Sequence, residues 1–314
     1  MAAAATFSAP VPLPPGRPCH VAIGMFDGVH VGHQAVIGAA VAAARATGGA
    51  VAVLTFWPHP SRLFRPAAPT PMLQDAAAKA ERLRALGVDA VVTQAFDADF
   101  ARIEAAGFLP WLRGRFPDLA AVYVGENFRF GHRRAGDVAL LQAAGAAAGI
   151  PVQAAPRVQR DGEPVSSTRI RGLLAEGRIA DANRLLGRDY AAEGVVRPGK
   201  RLGRTIGFPT LNVAWDPEAR PRFGVYAVRI AARGTDRLLP AVANYGLRPT
   251  VEQTTLPRIE VHVLGVCPIG EGDEVRIEWR QFLRPEMKFA GLPELRAQIA
   301  RDAVAATEFF AAAE

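Results

Sequence analysis

Short apolar runs that alternate with helix-length stretches constrain the first half of this chain more than any other feature. His20-Val-Ala-Ile-Gly-Met25 predicts a first strand, and the Ala-rich stretch from about Val31 to Arg45 predicts a helix. Val51–Phe56, Ala90–Thr93, Ala121–Val124 and Pro151–Ala154 predict four further strands, with helices expected over Ala78–Leu86, Ala105–Arg115 and about Asp137–Ala148. Strands separated by helices imply βαβ units and a parallel sheet, because a parallel pair needs a long crossover. Such sheets bind ligands at the carboxyl ends of their strands, so the loops after the first, second and fourth strands are candidate sites of chemistry.

After Gly187 the texture changes. Ala192–Val196, Gly224–Ile230, Pro240–Asn244, Arg258–Leu264 and Glu274–Trp279 are short and β-branched, with Gly, Pro or Asp between them. That pattern suits a small antiparallel barrel, and a final helix is expected over about Leu292–Ala306. A chain of 314 residues accommodates two cores. The expected organisation is a flexible lead-in at 1–19, an α/β Rossmann-like domain at 20–186 and a barrel domain at 187–314.

Composition narrows the class of function. Half of the chain is hydrophobic and 21% is charged, an ordinary globular balance. No apolar run reaches the roughly 18 residues that cross a bilayer. The N-terminal segment lacks a basic start followed by an apolar stretch, so it does not read as a secretory signal. Cys19 and Cys267 lie far apart without CxxC spacing, which indicates neither a disulfide framework nor a cysteine metal site. A cytoplasmic setting is expected. The net charge of +7 suits anionic partners such as phosphorylated small molecules, although an Arg-rich composition accounts equally well for it.

The strongest local signal is Gly24-Met-Phe-Asp-Gly-Val-His-Val-Gly-His33, between the first strand and the first helix. Gly24 and Gly28 permit close backbone approach, and Gly32 with the helix start presents N–H groups to an anion. His30 and His33 would then lie beside a phosphate and stabilise charge that grows in a transition state. A polar helix cap is the bland alternative, and a metal site is the other reading of two histidines so spaced, with no third ligand nearby in sequence. Ser166-Ser-Thr-Arg-Ile-Arg171 combines a helix-capping serine with two arginines, which suits either an anion site or a capped, solvated helix. Phe128 and Phe130 read as core residues or as flanks for an aromatic ligand, His59 as structural or functional, and Asn127 as a ligand contact or a turn cap.

In the second half, Gly199-Lys-Arg-Leu-Gly-Arg-Thr-Ile-Gly-Phe-Pro-Thr-Leu-Asn212 is a glycine-rich, basic loop ending in two hard oxygen donors. Such a loop suits phosphates and hydrated Mg²⁺, or else an ordinary Asx-capped turn, and it lacks the ending of a Walker A loop. In Ile259-Glu-Val-His-Val-Leu264, Ile259, Val261 and Val263 face one way and Glu260, His262 and Leu264 the other. A lone strand Glu is usually solvated.

The first turn resembles the HxGH-type nucleotidyltransferases, and its longer form resembles the adenylyltransferase half of bacterial bifunctional riboflavin kinase/FAD synthetases. Thr55-Phe-Trp-Pro-His-Pro60, Val124-Gly-Glu-Asn-Phe-Arg-Phe-Gly131 with Gly136-Asp137, and Ser166–Arg171 are similar to that family's further motifs. The glycine-rich loop resembles the GxPTAN region of riboflavin kinases, with Leu211 where Ala is usual. Asn244-Tyr-Gly-Leu-Arg-Pro-Thr250, Ile259–Leu264 and Phe282-Leu-Arg-Pro-Glu-Met-Lys-Phe289 resemble the kinase's other segments. One departure is plain: Gly265–Gly272 replaces a longer acidic hairpin.

The resemblance implies ATP-dependent phosphorylation of riboflavin to FMN and adenylylation of FMN to FAD. It implies Glu260 as kinase base and His30 and His33 in adenylyl transfer. Gly24, Phe26, Asp27, Gly28, Gly32, Ser166, Ser167, Thr168, Arg169, Arg171, Gly199, Lys200 and Arg204 are implied around ATP and its phosphates. His59, Asn127, Phe128, Arg284 and Glu286 are implied near flavin, and Thr210 and Asn212 at Mg²⁺. Riboflavin, FMN, FAD and ATP are the expected partners, with no nucleic acid, no membrane, and a monomer or weak homo-oligomer. Two rivals remain: a nucleotidyltransferase whose barrel only binds flavin, and a basic nucleotide- or RNA-binding protein. The second is disfavoured because the barrel lacks exposed aromatics interleaved with Lys and Arg.

Overall fold

The computed structural model describes residues 13, 16–199, 202–235, 237–247 and 256–312. Lys200, Arg248-Pro-Thr250 and most of the 1–19 lead-in lie outside the described residues. The chain divides into two compact units between Ser167 and Thr168.

In the first unit, β1 (Cys19–Ile23), β2 (Ala50–Trp57), β3 (Ala90–Ala95), β4 (Leu119–Gly125) and β5 (Val152–Ala155) form an all-parallel sheet. Its order is β3-β2-β1-β4-β5. Helices α1 (Val31–Thr47), α2 (Ser61–Phe64), α3 (Ala76–Ala85), α4 (Ala105–Arg115) and α5 (Val138–Ala147) connect the strands. A two-stranded hairpin, β6 (Gln159–Arg160) with β7 (Glu163–Pro164), precedes α6 (Ser167–Glu176). Every residue of β1 is buried, because both faces of the sheet are covered. Cys19, Val21 and Ile23 pack with Phe108, Leu109 and Leu112 of α4. Ala22 points the other way, toward Val36, Ile37 and Ala40 of α1 and Leu83 of α3. The chain runs outward from β1 through β2 and β3, then returns to β4 on the opposite side. That reversal leaves a crevice at the carboxyl ends of β1 and β4.

The second unit contains α7 (Ile179–Leu186), β8 (Tyr190–Arg197), α8 (Leu202–Thr205), β9 (Leu211–Ala214), β10 (Gly224–Ala232), β11 (Leu239–Leu247), β12 (Pro257–Val263), β13 (Glu274–Arg284) and α9 (Leu292–Ala311). The six strands close an antiparallel barrel in the order β10-β11-β12-β9-β8-β13. Its interior is filled by large rings: Trp279 meets the edge of Tyr226 at 4.7 Å and of Tyr245 at 5.7 Å. On the outside, Ala306 and Phe310 of α9 cover Val225, Ala227 and Val242.

The parallel sheet, the barrel and the final helix follow the sequence expectation, although α9 runs on to Ala311. Two elements carried no texture of their own. β9 is four residues long and is held by pairing with both β8 and β12. Helix α7 buries Ile179, Ala182, Leu185 and Leu186 and ends on Gly187 at φ 69°. Asn183 in α7 donates to the Asp189 carboxylate at 2.9 Å and to the Trp279 carbonyl at 2.8 Å, and accepts from the Tyr190 amide at 2.8 Å. The texture break at Gly187 therefore falls within the second unit, and α7 contributes to its core.

Buried aliphatic side chains are worth about 1.5–3 kcal/mol each, against a typical domain stability of about 5–15 kcal/mol. A fragment from Thr168 to Glu314 is therefore expected to melt cooperatively, and one starting at Gly187 to melt far lower or not at all. Asn183→Ala should cost the full chain about 2 kcal/mol. Thermal melts followed by circular dichroism check both, and equal melting of the two fragments would show that α7 is not part of the core.

Candidate active sites

In the first unit the chain leaves β1 through a tight turn whose shape is set by side-chain packing. A Cβ on Gly24 would lie 2.9 Å from the Phe26 ring, so only glycine leaves room for that ring to fold back. Phe26 and Val29 hold φ of 48° and 42°, left-handed values that are costly for a β-branched or bulky residue and are tolerated where surroundings over-determine them. Here the surroundings are dense, since Phe26 and Val29 are both 2% exposed. Asp27 is also 2% exposed, and its carboxylate accepts from the Leu73 amide at 3.0 and 3.3 Å. Its backbone carbonyl accepts from the Ser167 hydroxyl at 2.8 Å, which ties the first residue of α6 to the turn.

The turn delivers His30 as the N-cap of α1. His30 Nδ1 accepts from the His33 amide at 3.3 Å, so the neutral ring carries its proton on Nε2. The two imidazoles stack at 3.5 Å, and His33 meets the edge of Phe26 at 5.3 Å. A Cβ on Gly32 would press on the His30 ring at 3.2 Å. The outcome is two imidazoles side by side at a helix N-terminus, where the peptide dipoles favour an anion. Among the described residues, no group of three His, Cys, Asp or Glu side chains is placed to hold a metal ion.

Other residues singled out in this unit occupy different settings. His59 Nδ1 accepts from the Ser61 amide at 3.1 Å and faces the Ser61 hydroxyl at 2.8 Å, which organises the turn after β2. Asn127 is exposed on the turn after β4, while half-buried Phe128 stacks with Phe130 at 5.8 Å against the core. Ser166 is half-buried, and Thr168, Arg169 and Arg171 continue into α6 within the second unit. Sequence reasoning missed a groove of about 480 Å³ between Ala35, Val36 and Ala39 of α1, Tyr123 and Val124 of β4, and residues 153–158. Small residues one helical turn apart on α1 were its only advance signal. Tyr123 is anchored there by donating to His20 Nδ1 at 2.9 Å, while His20 Nε2 bonds Thr47 at 3.0 Å. Burial lowers the His20 pKa, so the neutral ring fits this network.

In the second unit a register row runs across the barrel. Asn212 on β9 pairs with Glu260 on β12, Glu260 with Asn244 on β11, Asn244 with Val225 on β10, and Val225 with Arg284 on β13. Paired residues point to the same face. All five line one cavity of about 220 Å³, together with Thr210, His262, Glu286 and α9 residues. Ile259, Val261 and Val263 are 0%, 0% and 5% exposed, so the alternation read from the sequence sends Glu260 to the cavity face of the barrel wall. Gly199 packs against the Asn212 amide, where any Cβ would collide. Gly246 is likewise the space that the Glu286 carboxylate occupies. Burial pushes the Glu286 carboxyl up, opposed by a hydrogen bond from Asn244.

Arg284 forms a two-toothed pair with Asp302 of α9, Nε to Oδ1 at 2.8 Å and a terminal nitrogen to Oδ2 at 2.7 Å. Asp302 is 5% exposed, and Gln298 donates to it as well at 2.8 Å. One guanidinium thus both lines the cavity and clamps its roof. Arg204 is exposed on α8 and does not line the cavity. The shortened connection Gly265–Gly272 contributes no residue to the lining. The Thr210 hydroxyl, the Asn212 carbonyl and the Glu260 carboxylate in one cavity are hard oxygen donors of the kind Mg²⁺ takes.

Comparisons with known proteins fall on both units. The family described as FAD synthetase matches residues 14–169, and the family described as riboflavin kinase matches residues 186–310. A bifunctional riboflavin kinase/FMN adenylyltransferase of Escherichia coli strain K12 is 40% identical over 94% of this chain and 94% of its own. The protein of the same description from Listeria monocytogenes is 35% identical over 94% and 93%. A solved structure described as a macrolide-efflux protein from Streptococcus pneumoniae superposes with a TM-score of 0.83 at 27% identity, covering 93% of this chain and 94% of that one. No helix among the described residues is long and apolar enough to cross a membrane. With both family regions present in order and close relatives matched along nearly their whole length, the chain belongs to the bifunctional riboflavin kinase/FMN adenylyltransferase family.

Proposed function

We propose that the second unit phosphorylates riboflavin to FMN with ATP, and that the first unit joins FMN to the adenylyl group of a second ATP, giving FAD and pyrophosphate. The observation that carries the reading is the row Asn212–Glu260–Asn244, which sets a carboxylate between two amides on one cavity wall inside the riboflavin-kinase region. Glu260 orients the terminal ribityl hydroxyl and takes its proton as the oxygen attacks the γ-phosphorus of ATP, whose bond to the bridging oxygen breaks and releases ADP. Thr210 and Asn212 would hold Mg²⁺, which supplies charge neutralisation at the phosphates. Gly199, Lys200 and Arg204 are assigned to the ATP phosphates, although Arg204 lies outside the cavity lining, and Arg284 and Glu286 are assigned to the flavin.

In the first unit an FMN phosphate oxygen attacks the α-phosphorus of ATP and the bond to pyrophosphate breaks. No covalent enzyme intermediate is needed, so positioning and electrostatics supply the rate. His30, donating from Nε2, and His33 stabilise the negative charge that builds on the phosphate oxygens. Gly24, Phe26, Asp27, Gly28 and Gly32 shape the turn, and Ser166, Ser167, Thr168, Arg169 and Arg171 serve the polyphosphate. His59, Asn127 and Phe128 are assigned to the flavin. The enzyme works in the cytoplasm as a monomer or weak homo-oligomer.

Two sets of variants test the assignment, with flavins separated by chromatography. His30→Ala or His33→Ala should lower FAD formation by about 10²–10³ and leave FMN formation from riboflavin intact. Equal loss of both activities in a folded variant would sink the division of one activity per unit. Glu260→Gln should lower FMN formation by about 10²–10⁴ while supplied FMN is still converted to FAD. A drop of less than about tenfold would reduce Glu260 from base to orienting group, since phosphoryl transfer has a loose transition state. A variant that makes no FMN and also no FAD would show that the two sites are not independent.

A further inference from the structure

Lys79 on α3 is 1% exposed, which is unusual for a lysine. Its three ammonium hydrogens meet three acceptors: the Met25 carbonyl at 3.2 Å, the Thr55 hydroxyl at 3.0 Å and the Phe56 carbonyl at 3.3 Å. The Thr55 hydroxyl in turn donates to the Met25 carbonyl at 3.0 Å. The ammonium also lies 5.8 Å from the Trp57 ring, within cation–π range. Burial pushes this lysine down to about 8, and the nearby Asp27 charge works against that shift.

The location matters more than the burial. The β1–β2 ladder pairs Ile23 with Leu54 last, and its closing backbone bond runs from the Gly24 amide to the Leu54 carbonyl at 3.1 Å. Beyond that point the two strands diverge, one into the turn of His30 and His33, the other into the turn of His59. There the buried Phe56 carbonyl takes its hydrogen bond from Lys79, and the Met25 carbonyl shares Lys79 with the Thr55 hydroxyl; a buried carbonyl left unpaired costs about 1–3 kcal/mol. The Lys79 ammonium takes over where the ladder stops. Asp27, the charged group that acts on it from the β1–α1 turn, is itself held by the Leu73 amide. The lysine is therefore the cross-tie between the two loops, and no nucleotide or flavin contact is required of it.

We propose that Lys79 is a positioning residue of the adenylyl-transfer site, holding the turn of His30 and His33 and the turn of His59 at a fixed separation. The proposal rests on the adenylyltransferase reading above. A misplacement of about 1 Å at a reacting centre can cost about 10² in rate.

The test uses the full chain with Lys79→Met, Lys79→Gln and Thr55→Val, assaying FAD formation from FMN and FMN formation from riboflavin on each. Lys79→Met should lower kcat for FAD formation by about 10², with little change in KM for ATP and with FMN formation at the wild-type rate. Lys79→Gln, which keeps two of the three donors, should recover about tenfold of that loss. Thr55→Val, nearly equal in volume, should move in the same direction as Lys79→Met. A folded Lys79→Met with wild-type FAD formation overturns the proposal, as does a parallel fall in both activities, which marks general destabilisation. If Lys79→Met does not fold, Thr55→Val decides, and wild-type FAD formation there overturns it. A wild type that makes FMN but no FAD refutes the adenylyltransferase reading itself and carries the proposal with it.

Discussion

A strand sends successive side chains to opposite faces, and where those faces lead decides where chemistry sits in each unit. In the first unit both faces of β1 are buried under helices, so no functional side chain can project from its middle. The polar groups are forced to the carboxyl end, onto the turn that begins at Gly24. In the second unit the barrel wall has one face in the aromatic interior and one toward α9. There a strand can carry core and site at once, with Ile259, Val261 and Val263 inward and Glu260 and His262 toward the cavity.

Each unit also holds a charged side chain whose hydrogen bonds are made within the fold. Lys79 takes over from the sheet ladder between two loops, and Arg284 with Asp302 fixes α9 over the cavity. Desolvating such groups costs several kcal/mol, and their worth lies in complete hydrogen bonding rather than in net stability. Asp302 shows this completeness: two bonds from Arg284 and a third from Gln298. Arg284 is accordingly a structural clamp first, whatever it contributes to a bound flavin.

The likeness to the structure described as a macrolide-efflux protein is a likeness of fold, and a fold does not specify an activity. Family membership along the whole chain is what bears on activity. Two stacked imidazoles at a helix N-terminus and a carboxylate flanked by two amides are the groups on which the proposed phosphate chemistry rests. The product of the kinase step carries the phosphate that the adenylylation step consumes, which gives a chemical reason for both units to occur in one chain.

Sequence by itself determined the local matters. Alternating runs specified the parallel sheet, β-branched segments specified most of the barrel, and the period-two pattern around Glu260 specified which face it takes. It determined these because strand and helix periodicities are written in neighbouring residues. Only the tertiary structure decided the rest. β9 exists because two partner strands hold four residues that have little propensity of their own. Asn212, Glu260, Asn244 and Arg284 become neighbours only when the barrel closes and sets their register. Nothing local in the sequence singles out Lys79, since its three acceptors come from residues 23 to 54 positions away. A hydrogen bond across that separation leaves no periodic trace in the sequence, because it is made by packing and not by local chain geometry.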